Sequence, residues 1–87
     1  MREWGGPSVV RGKRVLDLGC GDGRLALGAA RHARSVVGID PDAPLIATAR
    51  ARAKESGLAN VRFEVGAGQS LDLADGSFDV VILSWTL

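Results

Sequence analysis

Short apolar runs alternate with longer amphipathic stretches along most of this chain, and the apolar period shifts between two and about four as they do. Val15-Leu16-Asp17-Leu18 stops at Gly19 and predicts a first strand. Arg24 to Arg31, rich in Ala and Leu, predicts a short helix with Asp22 as its N-cap and Arg31 and His32 in its last turn. Ser35 to Ile39 is β-branched, bounded by Asp40-Pro41, and predicts a second strand. A longer helix is expected over Ala43 to Ser56, capped by Asp42, with Pro44 in its first turn and Gly57 as its stop. Leu45, Ala49 and Ala53 repeat every four residues on one face with Ile46 beside them; Arg50, Arg52, Lys54 and Glu55 form a solvated face. Val61 to Val65 alternates apolar and polar, a third strand with one buried face. Asp75-Gly76 turns the chain into a fourth strand over Phe78 to Ser84. Met1 to Gly12 shows no apolar period and reads as an irregular lead-in.

Strands that alternate with helices imply an α/β fold built on a parallel sheet with right-handed crossovers. Strands one, two and four are apolar on both faces, as in sheets covered on both sides. Residues 66–77 are too few for a full crossover helix, so one face is expected to lack cover. A doubly wound sheet has two βαβαβ halves, and residues 13–87 supply one half plus a strand. The expectation is the front part of a larger domain, truncated after its fourth strand and able to self-associate through the uncovered face or edge.

Composition narrows the function classes. A net charge of +1, spread along 87 residues, predicts neither a nucleic-acid footprint nor one for anionic membrane. One Cys and one His cannot make a structural zinc site, and a lone Cys excludes an intramolecular disulfide. The first thirty residues carry no long apolar stretch, and the longest apolar run, Val80 to Leu83, is far too short to span a membrane. The expected character is cytoplasmic.

Candidate chemistry centres on Asp17-Leu18-Gly19-Cys20-Gly21-Asp22-Gly23, a glycine-rich turn between strand and helix. Gly19 and Gly21 let the backbone bend sharply and approach a ligand with no Cβ between. A dinucleotide fingerprint of the Gly-x-Gly-x-x-Gly type would need glycine where Arg24 stands, which disfavours a nicotinamide enzyme. Nineteen residues after Gly21, Asp40 ends the second strand, where a carboxylate can accept hydrogen bonds from both hydroxyls of a ribose held over the turn. Cys20, between glycines and without a nearby His, fits packing better than nucleophilic chemistry. Gly12-Lys13-Arg14 is not a phosphate loop, since the Ser or Thr after the Lys is missing.

The order Asp17-x-Gly19-x-Gly21-x-Gly23, then Gly38-Ile39-Asp40, Val61 to Leu71, and Ser77-Phe78-Asp79-Val80-Val81 resembles the class I S-adenosylmethionine-dependent methyltransferases of small-molecule type. The resemblance covers Lys13 to Leu87 and implies a Rossmann-like sheet of strand order 3-2-1-4. It implies that the turn at Gly19, Cys20 and Gly21 holds the methionine part of S-adenosyl-L-methionine, with Asp17 near its amino group and Ser84 also at the site. It places the ribose on Asp40 and the adenine against Pro41 and Leu45. The family commonly has an acidic residue after the glycine that follows strand three; here Ala67, Gly68 and Gln69 follow Gly66, and Gln69 or the backbone of Gly68 is the substitute on offer. Asp79 is expected near the mouth of the site. No catalytic residue and no metal ligand is assigned. Ser84-Trp85-Thr86-Leu87 does not resemble the Asn/Asp-Pro-Pro-Tyr signature of amino-methylating nucleic-acid enzymes, which favours a small-molecule acceptor. A non-catalytic cofactor-binding module is the alternative.

Overall fold

The computed structural model describes residues 7–66 and 78–84. Its elements run α1 (Pro7–Val10), β1 (Arg14–Leu18), α2 (Arg24–Ala30), β2 (Ser35–Asp40), α3 (Ala43–Ser56), β3 (Val61–Val65) and β4 (Val80–Leu83). The four strands form one parallel sheet in the order β3-β2-β1-β4. This is the expected Rossmann-like α/β arrangement.

Register decides which side chains meet. Val15 lies beside Val36 and Val80, and Asp17 beside Gly38 and Ile82, while Gly38 lies beside Phe63. These residues share one face, because side chains alternate along a strand. Both α2 and α3 pack there, burying Ala26, Ala29, Ala30, Ile46, Ala49 and Ala53 against Val15, Val36 and Phe63. Two crossovers of one hand, both stepping from β1 toward β3, put their helices on the same side. The opposite face has a smaller buried group of Leu16, Leu18 and Ile39, with Val37 and Phe78 against it. Among the described residues no helix is long and apolar enough to cross a membrane.

Several local expectations are corrected. The lead-in is not wholly irregular: Pro7–Val10 is helical, Val10 is fully buried, and Arg11 bridges to Ala33. Four residues are too short to display a period, so the sequence gives no sign of this turn. Helix α2 is preceded by Gly23 in the left-handed region rather than by an Asp22 cap. Asp22 instead accepts from the Arg24 N–H and pairs with Arg52 at 3.0 Å. In α3 the Asp42 cap, Pro44 and Gly57 stand as expected, but the buried stripe is Ile46, Ala49 and Ala53, with Leu45 exposed at its edge. Arg50 is not simply solvated, since its guanidinium donates to the Phe63 carbonyl at 2.9 and 3.1 Å. Val65, expected inside, is half-exposed because β3 is an edge strand. In β4, Val81 and Leu83 are exposed, so this strand is not covered on both faces.

Candidate functional site

The strand order reverses between β1 and β4, and ligands of open α/β sheets bind beyond the carboxyl ends of strands at such a point. After Leu18 the chain bends through three glycines, Gly19, Gly21 and Gly23, with φ of 78°, 57° and 86°. Side chains rarely adopt such angles, so the sequence requires glycine here. The Gly19 and Cys20 N–H groups both donate to the Ile39 carbonyl, at 2.7 and 3.1 Å, tying the bend to the end of β2.

Asp40 organises the other side. Its Oδ2 accepts from the Gly21 N–H at 2.9 Å and its Oδ1 from the Asp42 N–H at 2.8 Å. Its carbonyl accepts from the Gly66 N–H at 3.0 Å, which fixes the end of β3 as well. Each carboxylate oxygen has further acceptor capacity beyond one N–H bond. A carboxylate so placed has the capacity to accept from two hydroxyls on adjacent carbons. A Cβ at Gly21 would stand 4.0 Å from the Leu45 side chain, which brings that residue to the same bend. Pro41 is exposed beside Asp40.

Asp17 lies at the base of the site, with no exposed surface. The Ser84 hydroxyl, just past β4, donates to its Oδ1, and the Ser84 N–H donates to the Leu18 carbonyl at 2.8 Å. Burial pushes the Asp17 carboxyl up to about 6; the Ser84 bond draws it down and the charge of Asp40 raises it further. Asp17 Oδ2 is buried and has no hydrogen-bond partner among the described residues. Buried polar atoms are normally paired, so this oxygen suits a donor or cation brought by a ligand.

Asp17, Gly19, Gly21, Asp40, Leu45 and Ser84 are thus brought together. Cys20 is in the bend, but its side chain turns into the core, and burial pushes the thiol up to about 12. Its part in the bend is made by the backbone, whose N–H donates to the Ile39 carbonyl. Ala67, Gly68 and Gln69 lie outside the described residues. Asp79 is corrected: it precedes β4 and clasps Arg14, accepting from the Arg14 backbone at 2.9 Å and its guanidinium at 3.2 Å. Arg14 begins β1, so this pair sits roughly 13 Å from the carboxyl ends of the strands. Arg14 holds the Asp79 carboxyl down to about 2. Gly23 and Gly38 are supports that spacing did not distinguish. A Cβ at Gly23 would fall 2.8 Å from Ala49 and Phe63, and one at Gly38 2.7 Å from Phe63 and 2.9 Å from Cys20 Sγ. Gly38, a glycine inside a β-branched strand, was the available signal of close approach.

A family model described as a methyltransferase domain matches residues 15–87. The chain is 38% identical over 68 residues to uncharacterized methyltransferase YcgJ of Bacillus subtilis, covering 78% of this chain and 27% of that protein. It is 41% identical over 73 residues to ubiquinone biosynthesis O-methyltransferase of Agrobacterium fabrum, 84% of this chain and 29% of the other. With the 23S rRNA (uracil(1939)-C(5))-methyltransferase RlmD of Alkalilimnicola ehrlichii it shares 44% identity over 81 residues, 87% of this chain and 18% of that one. Among solved structures, the Trypanosoma brucei PRMT1 enzyme-prozyme complex with AdoHcy superposes with a TM-score of 0.75 at 38% identity, covering 91% of this chain and 26% of that one. The chain therefore spans less than a third of the length of each of these proteins. On these matches it belongs to the methyltransferase domain family, in the class I S-adenosylmethionine-dependent branch.

Proposed function

We propose that this chain is the cofactor-holding portion of an enzyme that transfers a methyl group from S-adenosylmethionine to a small-molecule acceptor. The observation that carries the reading is the Asp40 carboxylate, bonded to the Gly21 N–H across the bend and retaining lone pairs for a ribose. The bare backbone of Gly19 and Gly21 admits the methionine portion close to the strand ends. Leu45 and Pro41 offer an apolar side to the adenine, and Asp17 Oδ2 an acceptor for the amino group. When bound, the cofactor supplies a methyl group on a positively charged sulfur, already activated toward an acceptor nucleophile. The residues named here contribute placement, and orientation of this kind can lower a barrier by as much as roughly 7–11 kcal/mol. A near-balance of 11 basic against 10 acidic residues supports a small acceptor over a polyanion.

Titration calorimetry with S-adenosylhomocysteine and with NAD tests the reading. Binding of the first and not the second is expected. Asp40→Ala and the isosteric Asp40→Asn are expected to lose affinity by about a hundredfold or more, since two charge-assisted hydrogen bonds are at stake. Parent-like affinity in both variants would show the ribose contact is misplaced. Turnover with pooled small acceptors, and none with ribosomal RNA, is the expected acceptor result for the whole enzyme.

A further inference from the structure

The Ser84 hydroxyl, just past the end of β4, reaches Asp17 across the point where the strand order reverses. Its backbone is pinned as well, through the bond from its N–H to the Leu18 carbonyl. The hydroxyl is therefore held against Asp17 by the sheet itself. It occupies one carboxylate oxygen and leaves the other, Oδ2, buried and without a partner among the described residues. A serine placed this way does not need to touch the ligand to matter.

We propose that Ser84 is a positioning residue: by donating to Asp17 Oδ1 it keeps the Asp17 carboxylate oriented and charged, so that Oδ2 receives the cationic amino group of an amino-acid-bearing nucleoside. The inference rests on the cofactor reading above and adds the residue that makes its amino-group contact work. Two further titratable side chains bear on Asp17, namely Asp40 from the end of β2 and Cys20 from the bend. Asp40 raises the Asp17 carboxyl and Ser84 lowers it. The hydroxyl thus opposes both burial and the neighbouring carboxylate. His32, the chain's single histidine, lies at the other end of the sheet, where its carbonyl accepts from the Gly12 N–H.

The sign follows. Asp17 accepts the ammonium only when ionised, so affinity rises with pH through its midpoint near 6. Removing the hydroxyl moves that midpoint up and weakens binding at neutral pH, by about twofold at pH 7 for the first unit of displacement and about tenfold for two. The test is a calorimetric pH series from 5 to 7 on the parent, Ser84→Ala and Ser84→Thr. Two probes are used: S-adenosylhomocysteine, which carries the amino-acid end, and 5′-methylthioadenosine, which lacks it. For the first probe the parent is expected to tighten with pH, Ser84→Ala to bind about twofold to tenfold more weakly at pH 7 with a midpoint displaced by one to two units, and Ser84→Thr to restore the parent profile. The second probe is expected to bind alike at every pH and in every variant. A Ser84→Ala profile with the parent midpoint, or an equal loss for both probes, would overturn the positioning role while leaving the cofactor reading intact. A parent that binds neither probe overturns both.

Discussion

Asp17 has no exposed surface, and the burial that pushes its carboxyl up to about 6 is a statement about stability as well as binding. The folded value exceeds the ordinary 3.8, so between those limits the native state holds more protons than the unfolded chain. Stability therefore falls as pH rises from about 4 to 6, by an amount on the order of 3 kcal/mol. Asp17→Asn keeps the shape and removes the charge. It is expected to raise stability at pH 7.5 by about 1–2 kcal/mol and to flatten the dependence between pH 4 and 6, read from urea midpoints across that range. A less stable variant at pH 7.5 would mean the carboxylate is compensated in a way the desolvation account omits. Some of this residue-level chemistry was legible beforehand. The glycines at 19 and 21 and the acid at 40 announce backbone demands, and such demands survive in a linear pattern. The depth of Asp17 does not, because a strand buried on both faces is recognised by a continuous apolar run, and an acid that interrupts the run carries no sign of its own burial. Asp79 was misplaced for a related reason. Its position depends on where β4 joins the sheet, and pairing begins only at Val80 beside Val15.

Between elements, the Phe63 ring fastens β3 to β2 and to the start of α2. It fills the space that side chains at Gly23 and Gly38 would take, and it is 2% exposed. Gly38→Ala would put a methyl group 2.7 Å from two ring carbons, closer than packed atoms come. The expected destabilisation is about 1–3 kcal/mol, as for overpacked cores, measured by urea denaturation. Combining it with Phe63→Leu is expected to cost less than the sum of the two single changes, and strict additivity would show that the ring is not the obstacle. The same comparison explains which elements were readable. Helix α3 carries its own signals, with Asp42 accepting from the Leu45 N–H at one end and Gly57 left-handed at the other. Helix α2 takes its start from Gly23, whose lack of a side chain answers to Ala49 and Phe63, residues far along the sequence. Local chemistry predicts local boundaries; boundaries set by distant packing stay hidden until the chain is folded.

At the scale of the whole molecule the two sheet edges differ in how they meet solvent. On β3, Arg62 and Glu64 pair at 3.3 Å and Arg50 covers the Phe63 carbonyl, so charge and a long side chain guard that edge. On β4 the outward-facing residues are Val81 and Leu83, exposed by 47% and 67%, with no charged residue within the strand. Unguarded apolar edge strands invite pairing with another chain. Beside them, among the described residues, lies a cleft of about 330 Å³ lined by Val37, Ile39, Val65 and Phe78 together with Arg62, Glu64 and Gly66. We therefore expect this chain on its own to self-associate through β4 and not through β3. In sedimentation velocity the parent is expected to show a weight-average coefficient that climbs with concentration, and the double change Val81→Lys and Leu83→Lys to abolish the climb. Removing the β3 charges with Arg62→Gln and Glu64→Gln tests the other edge, and under this reading leaves association through β4 in place. A parent chain that remains a monomer at every concentration would show that exposed valine and leucine at this edge are tolerated, and the β4 surface would lose its claim to a partner.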